Sequence, residues 1–161
     1  MPNLDKAALQ AALCAQLEGR LASVEQVAAM ARDEASNSET KQEGKYDTRS
    51  TEASYLARGQ AWRIVELREL LLWAQGFDPS APLPEPAQAR IGALVQLRGA
   101  SDPLIFLAPV GGPKLVVDGH EVAVISLRSP LGAAMVGLGA GDSFEVAIPS
   151  GLCAYEIEDA W

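Results

Sequence analysis

Apolar residues in the N-terminal half of the chain recur at steps of three or four positions, the spacing that places side chains along one side of an α-helix. A first seam of this kind runs through Leu13, Leu17, Leu21, Val24 and Ala28. After a polar interval, a second seam runs through Leu56, Ile64, Leu67 and Leu71. The pattern therefore predicts two long helices separated by a polar segment.

Neither seam is expected to stay exposed to water, because each is a continuous apolar stripe. Two helices of about 28 residues would each be about 42 Å long at 1.5 Å per residue. An antiparallel helical hairpin buries both seams against each other and leaves the polar interval at its end. A coiled coil formed between two chains is the structural alternative.

The pattern changes to short strands separated by turns in the C-terminal half. The expected strands are Ile91 to Leu97, Leu104 to Leu107, Lys114 to Val117, Glu121 to Leu127, Phe144 to Ile148 and Ala154 to Glu158. One short helix is expected from Pro130 to Val136, since Ser129 is a good N-cap and Pro130 suits the first helical position. These elements predict a small, strongly bent antiparallel sheet crossed by one helix.

A proline-rich stretch separates the two patterns. Four prolines between Asp78 and Pro86 exclude regular helix and remove ladder donors, so an extended, stiff connector is expected there. The predicted organisation is a helical-hairpin domain at 1–77, a linker at 78–88 and a β domain at 89–161.

Composition limits the classes of function. The chain has 161 residues and a net charge of −8, which argues against sequence-blind binding to duplex DNA. No secretory signal and no apolar run long enough to span a membrane is present, and Cys14 and Cys153 are expected to be reduced. A cytoplasmic protein without membrane association is expected.

The C-terminal residues resemble a known family. Ile125-Ser126, Ser129-Pro130-Leu131, Gly141-Asp142 and Tyr155-Glu156-Ile157, in this order and spacing, are similar to the C-terminal domain of the bacterial Gre transcription elongation factors. The order of a helical hairpin followed by a small β domain is also the Gre arrangement. The resemblance thus implies an α+β protein: an N-terminal antiparallel coiled-coil hairpin followed by an FKBP-like antiparallel β domain with one helix.

The resemblance also implies a partner and a surface. Gre factors bind RNA polymerase with the hairpin in the secondary channel and the C-terminal domain on the channel rim. The residues expected to dock on the polymerase are Ser129, Pro130, Leu131 and Met135. A monomer with no catalytic residues of its own is expected, and direct contact with RNA is expected to be weak or absent because basic and acidic residues alternate on the second helix.

Acidic residues are concentrated between the two seams: Asp33, Glu34, Glu39, Glu43 and Asp47. In Gre factors, an Asp and a Glu three positions apart at this end help the polymerase active site to hold a second Mg²⁺ and to cut backtracked RNA. Anchoring that pattern on Tyr46 places Glu39 at the first acid but Gln42 at the second, with Glu43 beside it. No intrinsic cofactor is expected; Glu39 and Glu43 are the candidates for a Mg²⁺ shared with bound polymerase, and stimulation of transcript cleavage is in doubt.

The expected function is therefore an RNA polymerase-binding elongation factor that modulates elongation or backtracked complexes. One alternative is a dimeric coiled-coil interaction module with no polymerase role. Another is an FKBP-like peptidyl-prolyl isomerase, whose pocket would have to use Phe106, Phe144, Tyr155 and Trp161, the aromatic residues of this domain. His120, the single histidine, is expected to be a turn residue rather than a metal ligand or catalytic group.

Overall fold

The N-terminal part of the chain forms an antiparallel pair of long helices. The structure, a computed structural model, describes residues 4–38, 48–99 and 101–161. Helix α1 spans Lys6–Ser38 and helix α2 spans Thr48–Gly76. With 33 and 29 residues, both reach the length of about 28 residues that the periodicity predicts. Contacts pair early residues of α1 with late residues of α2: the Gln10 side chain donates to the carbonyls of Ala74 and Phe77, at 2.7 Å in each case. The predicted hairpin is therefore formed within one chain.

The α1 seam lies where the spacing places it, whereas the α2 seam differs in detail. Leu13 and Leu17 are fully buried. On α2 the most deeply buried residues are Leu70 and Ala74, whereas the predicted seam ends with Leu67 and Leu71. Leu56, assigned to the seam, is instead 69% exposed, because the tight contact between the helices is restricted to the end near the sheet.

Six strands form the sheet that follows. They are β1 (Leu94–Arg98), β2 (Leu104–Ala108), β3 (Lys114–Val117), β4 (His120–Ser126), β5 (Ser143–Ile148) and β6 (Gly151–Ala160), in the spatial order β3-β4-β2-β1-β6-β5. Helix α3 (Pro130–Met135) lies between β4 and β5 in sequence. All six strands and this helix overlap the segments predicted from the sequence.

One pair of strands corrects the expectation of an antiparallel sheet. Strands β2 and β4 run parallel, with Leu104 opposite Val122 and Ala108 opposite Ser126, whereas the other four pairs are antiparallel. The cause is the β3–β4 hairpin, which turns at Asp118 and Gly119, both with positive φ. Because β4 inserts between β3 and β2, it returns in the direction of β2, and the sheet is mixed.

The sheet has a buried layer on each face. The face formed by alternate residues such as Leu94, Leu104 and Phe106 packs against Leu9, Leu13, Leu17 and Leu70 of the hairpin. The opposite face, with Val95, Ile105 and Leu107, packs against Met135 of α3. Both faces of β2 are covered, and all five of its residues are buried. The base of the hairpin and the sheet therefore share one hydrophobic core.

Three aromatic rings strengthen the junction between the hairpin and the sheet. Trp73 lies 5.4 Å from Phe77 and 5.7 Å from Phe106, measured between ring centroids. The chain beyond Phe77 crosses to the other side of the sheet, where Leu83 packs against the α3 layer. The proline-rich connector thus joins elements on opposite faces.

Candidate functional site

Helix α3 begins at a hydrogen-bonded corner. The Ser129 hydroxyl accepts a hydrogen bond from the Gly132 N–H at 3.0 Å and donates one to the Ser126 carbonyl at 2.7 Å. The Ser126 hydroxyl in turn donates to the Pro109 carbonyl at 3.1 Å. Ser129 is extended at φ −71° and ψ 155°, as an N-cap residue should be, and Pro130 takes the first helical position. The corner therefore fixes where α3 leaves the sheet.

The residues predicted to dock on a partner do not all reach the surface. Pro130 is exposed, and Ser129 and Leu131 are half-buried. Met135 is fully buried in the α3 layer of the core, so its assignment as a docking residue was wrong. A six-residue helix with Gly132 and Met135 turned inward leaves only one narrow outer side. Val136, which follows the helix, is the exposed apolar residue in its place, at 46%.

Two further exposed apolar residues lie on the neighbouring β5–β6 hairpin, and the sequence reasoning missed them. Ile148 is 40% exposed and Leu152 is 64% exposed. Ile148 is the last residue of β5 and Leu152 is the second residue of β6, so the two lie on either side of the turn. The sequence shows an apolar residue on each side of a turn. This pattern does not identify an exposed site, because buried strand ends show it as well.

The acidic end of the hairpin is described only in part. Asp33 and Glu34 lie exposed in the last turns of α1. Glu39, Glu43 and Asp47 lie outside the described residues, as does Gln42. Within 4–38, 48–99 and 101–161, no group of three or more His, Cys, Asp or Glu side chains is arranged to hold a metal ion. The shared Mg²⁺ remains a prediction.

Between Ser54 and Gly76, the basic residues of α2 do not form a continuous positive surface. Arg68 forms an ion pair with Glu25 of α1 at 2.5 Å, across the hairpin. Glu66 and Glu69 alternate with Arg63 and Arg68 along the same helix. Exposed ion pairs of this kind contribute little to stability, but here the pairing neutralises a cation that an RNA backbone would need.

The thiol at Cys14 is unsuited to nucleophilic chemistry. Burial raises its pKa, and the neighbouring Glu18 carboxylate raises it further. A thiol with a raised pKa is protonated at neutral pH, and the thiolate is the reactive form. Cys14 is therefore a packing residue of α1 that lies against the hydrophobic core.

His120 is the first residue of β4 and is exposed. It lines a shallow cleft of about 420 Å³ together with polar groups that include Asp102, Lys114 and Glu121. Lys114 and Glu121 already form an ion pair at 2.5 Å across β3 and β4. The cleft has no arrangement of groups that would give His120 a catalytic role.

An isomerase pocket is not assembled from the four aromatic residues of the β domain. Phe106 and Trp161 pack in the layer beneath the hairpin, whereas Phe144 and Tyr155 pack against each other on the opposite face at 5.8 Å. Since the sheet separates the two pairs, they cannot surround one proline ring. The structure therefore argues against the isomerase alternative.

No helix in the described part of the chain combines the length and the apolar character needed to cross a membrane.

Comparison with solved structures gives matches over most of the chain at low identity. Gfh1 of Thermus thermophilus is 19% identical, with 93% of this chain and 95% of that chain covered and a TM-score of 0.37. Gfh1 of Thermus aquaticus is 16% identical, with 92% and 94% covered and a TM-score of 0.37. A GreA/GreB factor of Nitrosomonas europaea is 23% identical, with 58% and 78% covered and a TM-score of 0.34. These scores are too low to support an argument about the whole chain.

Comparison with protein families is more specific. No curated protein sequence matches the chain. Residues 116–161, which comprise the end of β3, β4, α3 and the β5–β6 hairpin, match the family described as "Transcription elongation factor, GreA/GreB, C-term". This segment contains the Ser129-Pro130 corner and the Tyr155-Glu156-Ile157 strand on which the resemblance was based. The C-terminal segment of the chain is therefore similar to the C-terminal domain of the GreA/GreB transcription elongation factors.

Proposed function

We propose that this protein binds RNA polymerase and modulates transcription elongation, with the helical hairpin inserted in the secondary channel. The observation that carries the proposal is the GreA/GreB C-terminal domain at 116–161, joined to a long antiparallel hairpin in the same chain. The protein itself would not be the catalyst, since Gre factors act on the polymerase.

The geometry of the hairpin supports insertion into a narrow channel. Helix α1 has 33 residues, which corresponds to about 50 Å at 1.5 Å per residue. Its base is fixed to one face of the sheet by the shared core, and α3 packs on the opposite face. A rod anchored in this way can carry the acidic segment far from the docking surface.

The docking surface is proposed to be the outer side of the α3 corner. Pro130 is exposed there, Ser129 and Leu131 are half-exposed, and Val136 extends the apolar area. A small apolar patch rimmed by polar groups is typical of protein–protein contact sites. Met135 contributes by holding the helix against the sheet.

Within this function, we assign the protein to the regulators rather than to strong cleavage factors. The second tip acid of the Gre pattern is replaced by Gln42, which cannot supply the negative charge that recruits Mg²⁺. Occupying the channel needs no such charge, so binding and cleavage are separable. Glu39 and Glu43 remain the acids that would meet a polymerase-held Mg²⁺.

The test is binding of the purified chain to core RNA polymerase, measured directly and by competition with a cleavage-stimulating Gre factor. We expect saturable binding that displaces the competitor. Absence of binding at micromolar protein would overturn the proposal.

A matched pair of variants locates the docking surface. Pro130→Glu changes the exposed first residue of α3 but keeps the helix, because an acidic residue is favourable in a first helical turn. We expect it to weaken polymerase binding at least tenfold. Val116→Glu, at an exposed apolar residue of edge strand β3, should leave binding unchanged. Equal effects of the two variants would show that the α3 corner is not the docking surface.

A further inference from the structure

Helix α2 carries a second apolar series on the side turned away from α1. Its positions are 55, 58, 62, 65, 69 and 72, which alternate by three and four residues as the a and d positions of a coiled coil do. The apolar members are large side chains that are more than half exposed: Tyr55 at 68%, Trp62 at 67%, Val65 at 52% and Leu72 at 72%. We call these six residues the outer stripe.

The hairpin does not account for the outer stripe. The contacts with α1 and the sheet use Leu67, Leu70 and Ala74, on the opposite side of α2. Large apolar side chains exposed along one line of a helix are uncommon on a monomeric surface and mark interaction sites. The Arg58 guanidinium lies 6.0 Å from the centre of the Tyr55 ring, so these neighbours share the stripe.

The two charged members of the stripe are complementary but cannot meet within one chain. Arg58 and Glu69 are eleven residues apart on the same helix, about 16 Å along its axis. Neither takes part in the ion pairs that Arg68, Arg98 and Lys114 form. A facing helix of another molecule could supply an opposite charge to both.

A second copy of the chain supplies that charge in one orientation. When two α2 helices pack antiparallel about a two-fold axis between positions 63 and 64, Trp62 faces Val65 of the second copy. Arg58 then faces Glu69, and Tyr55 faces Leu72. Each contact occurs twice, as two-fold symmetry requires. In a parallel pair, by contrast, Arg58 would face Arg58 and Glu69 would face Glu69, which is repulsive.

We propose that the outer stripe is a self-complementary surface through which two copies of this protein form a reversible antiparallel dimer. The dimer adds a helix of a second molecule beside α2 and leaves each hairpin intact. It differs from a coiled coil in which α1 and α2 pair between chains, and it revises the expectation of a monomer. The proposal concerns the outer face of α2 and does not depend on the proposed polymerase function.

The first experiment measures the mass of the full-length chain in solution by sedimentation equilibrium, from about 1 µM to about 1 mM, a range that covers weak interfaces. We expect a monomer–dimer equilibrium with no larger species, because the two-fold contact is closed. A monomer over the whole range would overturn the proposal.

Substitutions then assign the surface. Trp62→Glu and Leu72→Glu should each raise the dimer dissociation constant at least ~100-fold, because central aromatic and apolar anchors dominate interface energy and each change occurs twice. The matched control is Leu152→Glu, at a residue with 64% exposure on the β5–β6 hairpin, which should leave dimerisation unchanged. A dimer unaffected by both stripe variants would place the contact elsewhere and overturn the proposal.

A charge exchange tests the antiparallel register. Arg58→Glu and Glu69→Arg should each weaken the dimer, because each places like charges opposite one another at two points. Mixing the two variants, or combining both changes in one chain, restores opposite charges at every contact and should restore dimerisation. Weakening without restoration would contradict the antiparallel register and overturn the proposal. Circular dichroism on each variant verifies that the helices are retained.

Discussion

The Phe77 ring meets the Phe106 ring edge to face, with centroids 5.5 Å apart and planes inclined at 72°. Phe77 follows the last residue of α2, and Phe106 is in the centre of β2 with 1% of its surface exposed. This contact ties the base of the hairpin to the middle of the sheet.

Phe77→Ala should therefore lower the free energy of unfolding by about 2 kcal/mol, less than the cost of removing a fully buried Phe side chain, because Phe77 is only half-buried. Urea unfolding measures the change. The control is Phe144→Ala on β5, which also removes an aromatic contact but lies on the face of the sheet opposite the helical hairpin. Limited proteolysis distinguishes the two: only Phe77→Ala should accelerate cleavage near the α2 end. Equal proteolysis would mean that the contact does not couple hairpin and sheet.

Two glycine substitutions should change stability in opposite directions. A Cβ on Gly132 would lie 2.1 Å from the Ser126 carbonyl oxygen, a backbone atom that cannot move aside, whereas a Cβ on Gly19 would meet nothing within 4 Å. We expect Gly132→Ala to lower the free energy of unfolding by at least about 2 kcal/mol. Gly19→Ala, in the interior of α1, should raise it by about 0.5 to 1 kcal/mol. Destabilisation of similar size in both variants would contradict the geometry of the α3 corner.

The hydroxyl of Ser129 has two separable roles. Ser129→Ala removes both the cap to Gly132 and the bond to the Ser126 carbonyl, and should lower the free energy of unfolding by about 1 kcal/mol. Ser129→Asp keeps an acceptor for the cap but places a carboxylate beside a carbonyl oxygen, whereas Ser129→Thr keeps acceptor and donor. Thermal unfolding should rank stability as Thr above Asp and Ala. If Asp equalled wild type, the bond to Ser126 would contribute nothing.

The turn after α2 should make stability sensitive to acid. The Asp78 carboxylate accepts hydrogen bonds from the Ser80 hydroxyl at 2.6 Å and the Ser80 N–H at 2.9 Å, which hold its pKa below the ordinary 3.8. Because the folded pKa is the lower one, this stabilisation is complete above pH 3.8 and disappears as the pH falls through the folded pKa.

Asp78→Asn should therefore remove part of the loss of unfolding free energy at acid pH. It should not change how that free energy varies with pH near neutrality. Urea unfolding of both proteins between about pH 2 and pH 6 gives the comparison. Ser80→Ala, which removes the largest cause of the lowered pKa, should show an intermediate slope. Parallel curves for wild type and Asp78→Asn would exclude this contribution.

Position 42 should decide how strongly the protein stimulates RNA cleavage. On backtracked polymerase complexes with Mg²⁺, we expect little added cleavage from the wild type. Gln42→Glu should raise it, because it supplies a carboxylate three positions after Glu39. Gln42→Ala is the control and should leave cleavage low. Strong wild-type cleavage that survives Glu39→Ala would show that other acids are used.

Local sequence signals predicted the elements well. Ser129 and Pro130 mark the start of α3, and the short β-branched run that ends at Val117 coincides with β3, because caps and strand propensities act within a few residues. The orientation of α3 was harder to predict. In a helix of six residues, periodicity covers fewer than two turns and cannot show that Met135 points inward.

Contacts between distant segments were not predictable from these signals. The parallel pairing of Leu104 with Val122 arises because β4 turns back from β3 and lies between β3 and β2. The burial of Leu70 and the exposure of Leu56 depend on how far the sheet and α1 extend along α2. Spacing identifies a helix face but does not show which surface covers it.

The antiparallel pairing of α1 with α2 has a consequence for the length of the hairpin. Because the seam repeats every seven residues, deleting seven residues from each helix at matched levels preserves the facing of the remaining residues. Such a deletion would shorten each helix by about 10 Å while leaving the α3 corner unchanged. The length of the hairpin is thus variable in whole heptads without a change in the sheet that anchors it.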